Sequence, residues 1–153
     1  MFRYQPLDAD QEEIRIVRFV RPFDPGAPLA LELRHTALKG PRDPEPYSAL
    51  SYVWGSDRHT REILINGEPI AITFNLHDVL VQLRENGVTG WLWADSVCIQ
   101  QAHTAEKETQ VGFMGQIFQR AGLVYMWLGR STDEMYLAMS FLDSFSPNTP
   151  LRS

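Results

Sequence analysis

Tyr47-Ser48-Ala49-Leu50-Ser51-Tyr52-Val53-Trp54-Gly55 is the stretch on which the fold turns. It is short, apolar and aromatic. Pro41, Pro44 and Pro46 bound it on one side and Gly55-Ser56-Asp57 on the other. A run of that kind between breakers reads as a central strand, buried as the strands of a parallel sheet are. Two further blocks share its character: Trp91-Leu92-Trp93-Ala94-Asp95-Ser96-Val97-Cys98-Ile99-Gln100-Gln101 and Leu123-Val124-Tyr125-Met126-Trp127-Leu128-Gly129. Strands are predicted at Trp91 to Ile99 and Leu123 to Leu128. Each leaves the sheet at a residue suited to a tight exit or a polar site, and ligands of open α/β sheets gather beyond such strand ends.

Working outward, the segments between these blocks carry helical spacing. Asn75 is a good N-cap, and Asp78 favours the positive end of the helix dipole. Leu76, Val79, Leu80 and Leu83 then form one stripe, and Asn86-Gly87 stops it. Glu106 and Glu108 open a longer helix with Val111, Met114, Ile117, Phe118 and Ala121 as its predicted buried face. A last helix is predicted from Thr132-Asp133-Glu134, with Met135, Ala138, Met139 and Leu142 inward.

Upstream, Ile14 to Val20 and Leu29 to His35 read as strands separated by Pro22, Pro25, Gly26 and Pro28. Glu62 to Ile65, Asn66-Gly67 and Glu68 to Ile72 form a hairpin signature, since Asn-Gly supplies the positive φ of a type I′ turn. Pro69 just after that turn assigns its strand to a sheet edge. Strands alternating with helices imply an α/β domain: a mainly parallel sheet with helices on both faces, an added N-terminal strand region and a β-hairpin. Residues 1–13 read as a flexible lead-in, 14–146 as the domain and 147–153 as a frayed tail.

The chain has 153 residues, enough for one domain with a sizeable core. Its 44% hydrophobic and 22% charged residues are ordinary for a soluble globular protein, and no apolar stretch approaches the ~20 residues that span a bilayer. The N-terminus lacks the basic-then-apolar order of a signal peptide, and one cysteine, Cys98, fits a reducing compartment. A cytoplasmic, membrane-free protein is expected. A net charge of −5 with singly scattered basic residues argues against nucleic acid as a partner. Neither a Gly-rich phosphate loop nor a metal-ligand spacing of the four histidines is present, so no metal or resident cofactor is expected.

The three blocks together resemble the fungal heterokaryon incompatibility (HET) domain family. Tyr47 to Gly55 matches its first block, and Leu92 to Gln101 its second. Glu106-Lys107, Gln110-Val111, Met114, Ile117-Phe118, Ala121, Val124 and Trp127-Leu128-Gly129 follow the third in register. Gln100 stands where the family usually has Asn, and Ala94 where it usually has Ile. The resemblance implies a role in fungal non-self recognition and programmed cell death, a form of fungal innate immunity. It also implies a flavodoxin-like sheet akin to TIR domains, some of which cleave NAD with a glutamate while others only assemble. The implied partners are homotypic, or other HET- and TIR-like domains, in a homo-oligomer.

Each candidate residue has a structural and a functional reading. Asp95, in an apolar run, either accepts backbone N–H bonds or binds a ribose hydroxyl or cation at the lip of the sheet. Glu106, in a first helical turn, either stabilises the dipole or holds the ribose of NAD while the nicotinamide bond breaks through an oxocarbenium-like state. In that enzyme, Glu106 and Asp95 are the catalytic pair and NAD is the substrate. Ser51, Tyr52, Trp54 and Gln100 then line its site, with Trp54 as a stacking wall; otherwise the aromatics are core. In the alternative, a non-catalytic assembly module, the polar face of the 105–121 helix (Lys107, Thr109, Gln116) matters more. Cys98 reads as a small buried hydrophobe and a poor nucleophile.

Overall fold

The structure is a computed structural model that describes residues 1–21, 26–55, 58–127 and 135–138. The first strands are β1 (Glu13–Phe19), β2 (Ala30–Ala37) and β3 (Tyr47–Tyr52). A hairpin of β4 (Thr60–Ile65) and β5 (Glu68–Thr73) leads into helix α1 (Phe74–Glu85). Strand β6 (Trp91–Trp93), a single-turn helix α2 (Asp95–Cys98) and helix α3 (Thr104–Arg120) follow. Strands β7 (Val124–Trp127) and β8 (Met135–Ala138) follow, and the described residues form an eight-stranded sheet in the order β5-β4-β2-β1-β6-β3-β7-β8.

The three aromatic blocks supply a parallel unit, β6-β3-β7, with Ala49 paired to Trp93 on one side and Val124 on the other. Its neighbours change the character of the whole. β1 runs antiparallel to both β2 and β6, and the β4–β5 and β7–β8 pairs are antiparallel too. Only β2–β4 adds a further parallel contact. The sheet is therefore mixed, where a mainly parallel one was expected. The cause is that β1 connects directly to β2, and β4 to β5, by segments that reverse the chain instead of crossing over it.

Three expected elements are redrawn. The strand from Trp91 stops at Trp93, because the N–H groups of Val97 and Cys98 both bond to Ala94 O and wind the next residues into α2. An apolar run does not by itself separate a strand from a buried helical turn. Thr73, not Asn75, caps α1 by accepting from the Leu76 N–H, and Asn75 donates to Val53 O instead, at 2.8 Å. The predicted last helix gives way over Met135–Ala138 to β8, which pairs along the outer edge of β7. The rest of that prediction, the exit at Leu128-Gly129 and the tail 147–153 lie outside the described residues.

The stripe of α1 is buried as its spacing predicts: Leu76, Val79, Leu80 and Leu83. The predicted inward line of α3 holds at Ile117 and Ala121, which are buried, and at Met114 and Phe118, which pack against the core, but not at Val111. Gln110 and Ile117 are buried, while Val111 is 52% exposed. Gln110 is drawn inward because its Nε2 donates to the Glu13 carbonyl where β1 begins. Helix α3 lies over the sheet face that carries Tyr47 and Trp93: Tyr47 OH donates to Ile117 O at 2.5 Å, and Trp93 meets Phe118 edge-on. Tyr52, on the opposite face by strand alternation, engages α2 through Ser96.

The hairpin turn has the left-handed backbone predicted for it, with φ of 51° at Asn66 and 82° at Gly67. Strand β5 is an edge, in keeping with Pro69. Residues 1–13, expected as a flexible lead-in, make specific bonds, and Glu13 already belongs to β1. Phe2 N donates to Pro69 O, Tyr4 OH donates to Val97 O at 2.7 Å, and Gln5 O accepts from Arg15.

Gly55 closes the first block with φ of +72°, and a Cβ there would stand 2.6 Å from the Asn75 amide nitrogen that holds Val53. Gly55→Ala is expected to lower unfolding free energy by about 1–3 kcal/mol, combining left-handed strain with a steric conflict at a bonded side chain. Urea titration of both proteins measures it, and an unchanged midpoint would refute this account of the turn.

Candidate functional site

Strands β6, β3 and β7 run in one direction, so Trp93, Tyr52 and Trp127 end at the same edge of the sheet. The residues that follow them, Val53-Trp54 and Ala94-Asp95, meet there. The Trp54 indole Nε1–H is shared between the Asp95 oxygens, at 3.0 and 3.1 Å. The Tyr52 hydroxyl lies within hydrogen-bonding reach of Asp95 and also bonds the Ser96 hydroxyl. Gln101 steadies the backbone of this turn by donating to Asp95 O and Ile99 O. Asp95, Tyr52 and Trp54 are thus brought together by the ends of two neighbouring strands.

Burial pushes the Asp95 carboxyl above its ordinary range, against the opposing hydrogen bonds from Trp54, the Ser96 N–H and Tyr52. Tyr52 is itself raised, first by burial. The result is a carboxylate whose charge is held by indole and phenol donors, with Trp54 still partly in solvent. Chemically it can accept hydrogen bonds from a hydroxyl-bearing ligand.

Glu106 belongs to a different arrangement. Arg15 in β1 reaches it with both terminal nitrogens, at 2.9 and 2.6 Å, and the Gln100 N–H donates to Oε2 at 2.6 Å. The same guanidinium donates to Cys98 O and Gln5 O and lies 4.7 Å from the Tyr4 ring centroid. Side-chain exposure is 0% for Arg15 and 10% for Glu106. His103 caps α3 by accepting the Glu106 N–H at Nδ1, which fixes the backbone beneath the carboxylate. Burial alone would raise the Glu106 pKa, but the Arg15 hydrogen bonds, the Gln100 N–H and the Arg15 charge outweigh it and hold the carboxyl below its ordinary range.

The remaining candidates divide. Ser51 alternates to the face opposite Tyr52 and pairs across to Met126, away from the Asp95 cluster. Gln100 acts through its backbone N–H, so a Gln in place of Asn leaves that bond intact. Cys98 is fully buried and pushed up to about 12, first by burial, which makes it inert. A cavity of about 200 Å³ beside Glu106 is walled by Leu7, Ala9, His103, Ala105 and Gln110, and neither Asp95 nor Trp54 lines it. Sequence reasoning missed Arg15, the residue that orders this region. Its signal was present: an arginine between Ile14 and Ile16 in a strand must find a buried counter-charge.

Removing one partner of the buried pair leaves the other charge uncompensated. Glu106→Gln is therefore expected to cost about 3–5 kcal/mol of unfolding free energy near neutral pH. Because the folded-state pKa of Glu106 is lowered, its contribution is present above about pH 4.3, the ordinary glutamate value, and fades as pH falls through the folded value. Asp95 runs the other way: raised, it favours the fold below the ordinary aspartate range and loses that contribution as pH rises through its folded value. Denaturant titrations between about pH 3 and 7 should show a shallower acid loss in Glu106→Gln than in the parent, and an equal slope would contradict the assignment.

A family model described as "Heterokaryon incompatibility protein (HET)" matches residues 47–151. The protein described as "Heterokaryon incompatibility protein 6, OR allele", from Neurospora crassa, is 36% identical over 112 residues. That alignment takes in 65% of this chain and 16% of the relative's length, so the chain corresponds to a small part of that protein. No solved structure matches the chain. Among the described residues, no helix is long and apolar enough to cross a membrane.

Proposed function

The chain belongs to the heterokaryon incompatibility (HET) family, and from that premise we propose that it serves fungal non-self recognition and programmed cell death as a cytoplasmic signalling module that works by assembly. The observation carrying this reading is the engagement of Glu106. Both of its oxygens are held by a fully buried arginine and a backbone N–H. A carboxylate so committed has little capacity left for the ribose hydroxyls that NAD cleavage would require of it. Its role is to fix the start of α3 against β1, and an assembly module needs that rigidity in its surfaces.

A second reading, NAD cleavage at Asp95, is favoured by one observation. Asp95, not Glu106, stands at the carboxyl edge of the parallel strands beside a partly exposed tryptophan. Nicotinamide release from NAD by the purified chain at high concentration separates the two. Assembly predicts none above a protein-free control. Release that disappears in Asp95→Asn, a variant that keeps an acceptor for Trp54, would overturn the assembly reading and establish the enzyme.

A further inference from the structure

The backbone around Trp54 is fixed by its neighbours: Asn75 Nδ2 donates to Val53 O, and Gly55 turns the chain with φ of +72°. The side chain is the freer part. It is 37% exposed, and the single donor of its indole is shared between the two Asp95 oxygens. An ionised carboxylate can only accept, so the one proton of the Tyr52 hydroxyl goes to Asp95, and in the Tyr52–Ser96 pair it is Ser96 that donates. Asp95, Tyr52 and Ser96 thus form a chain of hydrogen bonds that ends at a half-buried serine. The groups facing Asp95 are neutral. They are Trp54 and Tyr52 from β3 and its exit, the Ser96 N–H from α2, and Gln101 at the Asp95 carbonyl; among the described residues no charged side chain contributes to its state. Tyr52 and Cys98, which feel its charge, are both raised by burial and stay uncharged near pH 7.

We propose that Trp54 is a side-chain gate at this edge of the sheet, latched by the charged Asp95 and released when Asp95 takes up a proton. In the charged state both carboxylate oxygens accept from the indole, and such a charge-assisted bond is about twice as strong as a neutral one. On protonation one oxygen becomes a hydroxyl and the chain reverses: Asp95 donates to Tyr52, Tyr52 donates to Ser96, and the Ser96 proton turns outward. No bond inside the chain is lost. The indole keeps one neutral acceptor in place of a charged pair, so the weakening falls on Trp54. Because Val53 and Gly55 stay fixed, the response is a rotation of the indole about its own side-chain bonds, which opens Asp95 and Tyr52 to solvent. Burial of Asp95, which exceeds what its donors return, brings the proton uptake above the ordinary aspartate range. The gate is independent of whether the domain assembles or cleaves NAD.

Acrylamide quenching of tryptophan fluorescence reads the gate, since Trp91, Trp93 and Trp127 are buried. Comparison with Trp54→Phe isolates the Trp54 share, and circular dichroism verifies the fold at each pH. That share is expected to rise as pH falls from about 7 to 4, with a midpoint above the ordinary aspartate range. Tyr52→Phe removes a donor that the charged form needs more than the neutral one, and should move the midpoint up by about one pH unit. Asp95→Asn, with a single acceptor oxygen, makes the released state permanent. Its Trp54 should be as accessible at pH 7 as the parent's is in acid, and should not titrate. Quenching that is constant with pH in the folded parent, that still titrates in Asp95→Asn, or whose midpoint stays or falls in Tyr52→Phe overturns the gate. Should the parent unfold before its midpoint, the comparison at pH 7 decides alone: greater accessibility of Trp54 in Asp95→Asn than in the parent supports the gate, and equal accessibility overturns it.

Discussion

The buried contact between Arg15 and Glu106 is the constraint on which the rest of this domain depends. A guanidinium inside a sheet is tolerable only if nearly all its donors are used. Here four bonds reach three separate segments: the N-terminal stretch at Gln5, the last residue of α2 at Cys98, and the first turn of α3 twice, at Glu106. One side chain thereby ties β1 to the N-terminal stretch, to the end of α2 and to the start of α3. Glu106, one of the two carboxylates the chain offers for chemistry, is tied into this internal framework.

That scaffolding shapes the edge of the parallel strands. With the loop from Cys98 to His103 pinned from below, Asp95 is left facing the indole of Trp54 and the phenol of Tyr52. The two carboxylates that flank the same turn have opposite electrostatic characters. One is charged at little cost because arginine stands against it, and the other is charged with difficulty because burial exceeds what its donors return. Environment, and not residue type, sets the two carboxylates apart.

Much of this was legible in the chain. The aromatic blocks announced the parallel strands, Asn66-Gly67 the hairpin, and Leu76 to Leu83 the buried stripe of α1, because each depends on local spacing or a required backbone angle. What was not legible depended on distant partners. Nothing within five residues of Arg15 reveals Glu106, which lies 91 positions away. Gln110 is inward only because the Glu13 carbonyl waits there. Asn75 gives up its capping role to the backbone at Val53, and Thr73 next to Phe74 takes it. The mixed character of the sheet has the same origin, since β1 joins β6 through a single register pair, Val17 with Leu92, that no local pattern encodes.

The placement of β1 and β2 bears on how the unit should be delimited. The stretch by which the family is recognised begins at Tyr47, yet these two earlier strands stand mid-sheet, between the hairpin and β6. Recognisable sequence and cooperative folding unit therefore have different borders. A fragment cut to the matched stretch would present β6 as a bare edge, divide the hairpin from the strands it leans on, and strip Glu106 of its counter-charge. For this domain the leading third is internal masonry, and boundaries drawn from similarity alone would pass through the middle of the wall.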